Sequence, residues 1–94
     1  MKLGQAIREK RKEKKITQRD LAKKMRITNA YLSQLEQGKK KVSGDLLEAS
    51  SKALDIPIPM LIWYAVEEHD IKPERREMYN NLKESIDLII KSIS

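Results

Sequence analysis

Apolar residues recur at helical spacing along nearly the whole chain, and nowhere do they alternate in the two-residue rhythm of a half-buried strand. Leu3, Ala6 and Ile7, with the stems of Lys10 and Arg11, share one stripe and predict a first helix over residues 3–14. Ile16 follows as a plug between helices. Thr17-Gln18-Arg19-Asp20 has the form of a capping box, in which the Thr17 hydroxyl accepts from the Asp20 amide and the Asp20 carboxylate reaches back to the Thr17 amide. It opens a second helix to about Met25, with Leu21, Ala22 and Met25 inward. After the break at Arg26-Ile27, Thr28 caps a third helix over residues 29–37, which Gly38 ends in the left-handed conformation. Leu32 and Leu35 point to the core from this helix, while Asn29, Ala30, Ser33 and Gln34 fall on the opposite side.

Ser43 caps a fourth helix to about Leu54, with Asp45 placed to suit the helix dipole. Leu46, Leu47, Ala49, Ala53 and Leu54 supply its buried side. Pro57-Ile58-Pro59 is a rigid corner that sets Pro59 at a first helical position. The fifth helix runs from there to about Glu67. Residues 60–66 are apolar on every side, so this helix is expected to be covered on more than one face. Asp70-Ile71-Lys72-Pro73 starts a sixth helix that runs nearly to the end. Along it Met78, Leu82, Ile86, Ile89 and Ile93 form one continuous apolar stripe. The expected architecture is all-α: a five-helix helix-turn-helix domain over residues 1–67, followed by a C-terminal amphipathic helix in residues 68–94.

Ninety-four residues suffice for one modest core. A charged fraction of 36% with both signs present, beside 39% apolar residues, argues for a folded chain. The absence of cysteine excludes disulfides and thiolate metal sites. With His69 as the single histidine, no metal or histidine-based catalytic set is expected; Glu67, Glu68 and Asp70 around it make at most a loose divalent ligand set. No phosphate-cradling glycine loop and no nucleophile–base pattern is present, so neither an enzyme nor a cofactor-binding protein is expected. The first residues lack an apolar stretch of signal-peptide type. The longest apolar run, residues 58–66 interrupted by Pro59, is far below the ~20 residues needed to span a bilayer. The chain is therefore expected to be soluble and cytoplasmic, with no membrane partner.

The net charge of +6 is unevenly distributed. Residues 1–44 carry 14 Lys and Arg against 4 Asp and Glu, while residues 45–94 carry 6 against 10. A basic first half is either a solvated lysine-rich surface or a face that meets a polyanion. The helix pattern bears on that choice. Two short helices joined by a tight break, with Leu21, Ala22, Ile27, Leu32 and Leu35 inward, make a helix-turn-helix. Ala22 is small where the third helix crosses the second, and Ile27 anchors the turn.

At these residues the chain resembles the helix-turn-helix family of lambdoid phage repressors and Cro, the XRE family. The resemblance lies in Thr17-Gln18-Arg19-Asp20-Leu21-Ala22 and in the unbroken stretch from Ile27 through Thr28-Asn29-Ala30-Tyr31-Leu32-Ser33-Gln34-Leu35-Glu36-Gln37-Gly38 to Lys39. It continues through Leu47-Glu48-Ala49-Ser50-Ser51-Lys52-Ala53-Leu54-Asp55-Ile56-Pro57 and covers about residues 3–66. Arg26 departs from it, standing where the family often has glycine. The resemblance implies a repressor-like fold and a transcriptional regulator, most readily a repressor, whose partner is double-stranded DNA. It implies base contacts from Thr28, Asn29, Ala30, Ser33 and Gln34. It implies phosphate contacts from Gln18, Tyr31, Lys39, Lys40 and Lys41, and a structural ion pair between Arg11 and Glu36. The side-chain chemistry agrees, because Asn and Gln can bond bidentately to adenine and an alanine methyl can meet that of thymine. Tyr31 remains open between phosphate contact and packing.

One reading helix covers only a few base pairs, and paired family members insert two such helices into successive major grooves about 34–36 Å apart. The apolar stripe of the last helix, with Trp63 on the fifth, is the candidate homodimer interface: Trp63, Met78, Leu82, Ile86, Ile89 and Ile93. The alternative is that the last helix folds back on its own domain. Two further readings stay open. One is an antitoxin-type regulator whose acidic C-terminal segment takes a protein partner, and the other is a helix-turn-helix module used only for protein interaction.

Overall fold

The computed structural model describes residues 1–93; Ser94, the last residue of the expected C-terminal unit, lies outside the described residues. Six α-helices follow one another: α1 (Leu3–Glu13), α2 (Gln18–Met25), α3 (Asn29–Glu36), α4 (Gly44–Leu54), α5 (Ile58–Ala65) and α6 (Arg76–Ile93). Two single 3₁₀ turns, Glu68–Asp70 and Pro73–Arg75, separate α5 from α6. The described residues contain no strand, and the all-helical expectation holds.

Hydroxyl side chains start three of these helices. Thr17 Oγ1 accepts from the Asp20 amide at 3.1 Å, Thr28 Oγ1 from the Tyr31 amide at 3.0 Å, and Ser43 Oγ from the Leu46 amide at 3.3 Å. Each satisfies an amide that the first helical turn leaves without a partner, a contribution of about 1 kcal/mol. Thr17 makes only its half of the expected capping box: among the described residues Asp20 returns no bond to the Thr17 amide. Left-handed residues follow the first four helices, at Lys15, Arg26, Gly38 and Asp55. Gly38, at φ +79°, follows α3 without steric penalty, whereas Arg26 closes α2 at φ +58° and ψ +40°, where a side chain is strained.

The core is one cluster fed by all five N-terminal helices: Ile7 of α1, Leu21, Ala22 and Met25 of α2, Leu32 of α3, Leu54 of α4 and Leu61 of α5. Ile16 and Ile27, the residues between the helices, pack against it with Val42, Leu46, Leu47 and Ile56. Burial of each of these large aliphatic side chains contributes about 1.5–3 kcal/mol. Gly4 marks a close approach of α1 to α3, since a Cβ there would collide with the Leu35 carbonyl oxygen near the end of α3.

The α5–α6 junction differs from expectation. Helix α5 stops at Ala65 rather than near Glu67, because Val66 turns extended (ψ 134°) and Glu67 opens a 3₁₀ turn in which its amide donates to Asp70 Oδ2 at 2.9 Å. Helix α5 begins at Ile58 behind Pro57, so Pro59 occupies the second helical position instead of the first. Helix α6 begins at Arg76, several residues later than expected. Pro73 holds Lys72 extended (φ −56°, ψ 138°), and one 3₁₀ turn intervenes before the α-helix proper.

Cover on α5 is uneven: Leu61 and Ala65 are buried, whereas Ile62, Trp63 and Tyr64 are half-buried. The Lys10 ammonium sits 3.6 Å from the centre of the Tyr64 ring. Helix α6 is attached mainly through Tyr79, its one buried residue. The Tyr79 ring meets that of Trp63 at 6.0 Å between centroids, and its hydroxyl donates to the Val66 carbonyl at 3.2 Å. Trp63 Nε1 donates to Asp87 Oδ1 at 3.4 Å. The apolar stripe lies beside this contact rather than in it. Met78, Leu82, Ile89 and Ile93 are each more than half exposed, while Ile86 and Ile90 are half-buried. The Met1 ammonium binds the Asp70 carboxylate and, with the Glu67 amide, holds that carboxyl below its ordinary value.

Candidate nucleic-acid interface

Helices α2 and α3, with the turn between them, form a bihelical unit whose inner side is fully committed. Leu21 and Ala22 of α2 share the core cluster with Leu32 of α3, Leu35 is buried as well, and all four are at most 2% exposed. Glu36 is also drawn inward. Its carboxylate accepts from Arg11 Nε at 2.8 Å, from Arg11 Nη2 at 3.0 Å and from Gln18 Nε2 at 3.1 Å. Arg11 Nη1 donates in addition to the Ile16 carbonyl at 3.0 Å. A planar guanidinium fork on a carboxylate is the strongest geometry available to an ion pair. Arg11 and Glu36 are 8% and 5% exposed, so neither charge is solvated, and removing one partner of such a pair costs about 3–5 kcal/mol. One carboxylate therefore ties α1, the start of α2 and the end of α3 together.

The outer side of α3 is open. Thr28, Asn29, Ala30 and Gln34 are exposed, and Ser33 is half-buried. The side-chain amides of Asn29 and Gln34 have no hydrogen-bond partner among the described residues, so their donors and acceptors face water. Thr28 is partly engaged, because its oxygen caps the helix. Ser33 Oγ accepts from Gln37 Nε2 at 2.9 Å, which adds Gln37 to this surface. Sequence reasoning assigned Gln37 no role, although its position one turn after Ser33 was the available signal.

The residues expected to meet phosphate lie at three places, on α2, on α3 and in the loop after α3. Gln18 stands at the start of α2, with one amide N–H spent on Glu36 and the second left over. Tyr31 is 39% exposed, with its hydroxyl unpartnered among the described residues. Lys39, Lys40 and Lys41 are exposed and pair with no carboxylate among the described residues. Their loop is held in shape: the Lys39 and Lys40 amides both donate to the Gln34 carbonyl, at 2.9 and 3.3 Å, after the left-handed turn at Gly38. Trp63 and the α6 stripe lie on a separate part of the molecule. His69, on the exposed surface, lies 3.2 Å from Glu67 and 3.7 Å from Asp70. No helix among the described residues is long and apolar enough to cross a membrane.

An inward-committed pair of helices with an unobstructed outer face corresponds to a known family whose model, described as helix-turn-helix, matches residues 7–61. The chain belongs to the XRE-type helix-turn-helix family. The match runs from α1 into α5 and leaves α6 outside. The immunity repressor protein of Bacillus phage phi105 is 38% identical over 84 residues, which cover 89% of this chain and 56% of that protein. An uncharacterized HTH-type transcriptional regulator of Mycobacterium tuberculosis is 38% identical over 58 residues, covering 62% of this chain and 41% of that one. The chain thus spans about half the length of the curated relatives it matches. Among solved structures, the clp gene regulator ClgR from Corynebacterium glutamicum superposes with a TM-score of 0.66 at 40% identity, covering 67% of this chain and 82% of the other. A second crystal structure of that regulator covers 96% of this chain and 88% of the other, with a TM-score of 0.65 at 29% identity. XRE-type architecture therefore accounts for the five-helix unit, and the second superposition extends over nearly the whole chain.

Proposed function

We propose that this chain is a sequence-specific, double-stranded-DNA-binding transcription regulator of the repressor type, acting in the cytoplasm. The observation that carries the reading is the exposed outer face of α3, where the amides of Asn29 and Gln34 stand free beside the methyl of Ala30. In the major groove each of these amides can bond two atoms of an adenine edge, a discrimination of about 1–3 kcal/mol per base pair. Thr28 and Ser33 complete the base-facing set. Gln18, Tyr31, Lys39, Lys40 and Lys41 grip the phosphates, which adds affinity without sequence information. The name of the phage relative, an immunity repressor, supports repression as the sign of control.

The reading includes a homodimer on a pseudo-palindromic operator. Residues 1–67 read DNA, and residues 68–94 pair the two copies. The exposed apolar side chains of Met78, Leu82, Ile89 and Ile93 support it, because a contiguous apolar surface left in water on a small protein marks an interface. Such a dimer blocks or recruits polymerase by position alone. Selection of binding sites from random duplexes at stated salt tests the proposal. The expected result is an operator with two related halves, whose preference weakens in Asn29→Ala and Gln34→Ala. Binding with no sequence preference, or no salt-sensitive binding at all, overturns it.

A further inference from the structure

The close approach of α1 to α3 at Gly4 leaves an open groove, about 1380 Å³ in volume, between the outward face of α1 and the loop that follows α3. Its walls are basic on both sides. Arg8 and Lys12 stand one helical turn apart on α1, and Lys39, Lys40 and Lys41 face them from the loop. All five are exposed, and none makes an ion pair among the described residues. Of the two carboxylates in the lining, Glu36 is buried against Arg11, while Glu9 accepts from the neutral Gln5 amide at 3.1 Å and leaves the five cations in clear excess.

We propose that this groove holds a phosphodiester strand of duplex DNA flanking the operator half-site. The inference rests on the reading of α3 as the base-reading helix. Groove and reading face share an edge at Gln37, which lines the groove and donates to Ser33 on the outer side of α3. Arg8 and Lys12 are like charges one turn apart, an arrangement that opposes helix formation in the free chain and is relieved by a polyanion. The cations spread along two elements instead of converging on a point. That pattern fits a chain of phosphates, whose binding draws on released counterions, better than it fits one small anion. Both walls are also fixed in place, α1 by its packing at Gly4 and the loop by the two amides that bond the Gln34 carbonyl.

The test uses the full chain and two duplexes, the selected operator with long flanks and the same operator trimmed to its half-sites, each titrated over a range of salt. For Arg8→Gln/Lys12→Gln, the slope of log affinity against log salt on the flanked duplex should fall by about 0.9 for each phosphate no longer neutralised, or about 1.8 per bound chain. The trimmed duplex should show no such fall, and base preference should be unchanged. Because both side chains are exposed, the melting temperature should match that of the parent protein or rise slightly as the like-charge repulsion is removed. An unchanged slope on the flanked duplex overturns the proposal while leaving the function of α3 standing. It does so equally if the same variant loses binding to an acidic polypeptide probe such as polyglutamate. Failure of the parent protein to bind either duplex overturns both readings.

Discussion

Residues 3–65 and residues 66–93 follow opposite rules within one short chain. In the first region every helix contributes to a shared core, and the single buried charge pair is satisfied on all sides. In the second, an 18-residue helix buries one side chain, Tyr79, and leaves most of its apolar stripe in water. The contrast teaches how a small chain divides its structure. Orientation of α3 is over-determined, while the segment that carries the remaining apolar surface is held by an aromatic contact and a few polar bonds. Local stability should follow the same division, with α6 opening at far lower cost than the core.

The sharpest way to break the first region is to orphan its ion pair. Glu36→Ala leaves Arg11 buried without a counter-charge and should cost about 3–5 kcal/mol in a denaturant titration. Gly4→Ala comes next, at about 1–3 kcal/mol, because the obstacle is a backbone carbonyl that cannot rotate away. For the second region, Tyr79→Ala should release α6 without melting the rest. The aromatic contact accounts for about 0.5–1.5 kcal/mol, and the sole tryptophan, Trp63, should shift its emission to longer wavelength while the main transition stays in place. Replacing Met78, Leu82 and Ile89 together by serine should change folding stability by no more than about 0.5 kcal/mol, because all three are exposed. The same triple change should abolish self-association in sedimentation velocity; a surviving dimer would move the pairing surface elsewhere. The smallest effect belongs to Arg26→Gly. Relief of a left-handed side chain at φ +58°, set against glycine's greater freedom when unfolded, should leave a net gain of about 0.5 kcal/mol.

Much of the first region was legible because its signals are local. Thr17, Thr28 and Ser43 each precede an apolar periodic run, and a hydroxyl in that place has one geometric use. The junction was less legible because apolar period does not distinguish a 3₁₀ turn from the opening of an α-helix. The Glu67–Asp70 box and Pro73 decided the boundaries there. On α6 the period revealed a stripe but not which edge of it would dock, and Tyr79, one residue from Met78, took the contact. At the candidate site, exposure of Asn29, Ala30 and Gln34 could be read from their position on the helix. The hold of Glu36 on the Gln18 amide could not, since it depends on where the ends of α2 and α3 meet in space.

Helix α3 keeps its structural bonds and its outward side chains on separate surfaces. Leu32, Leu35 and Glu36 fasten it, and Asn29, Ala30 and Gln34 contribute no side-chain bond to that fastening. Substitution on the outer surface is therefore nearly free of architectural consequence. A chain built this way can exchange the outward residues of one helix, by drift or by design, while the scaffold beneath stays as it was.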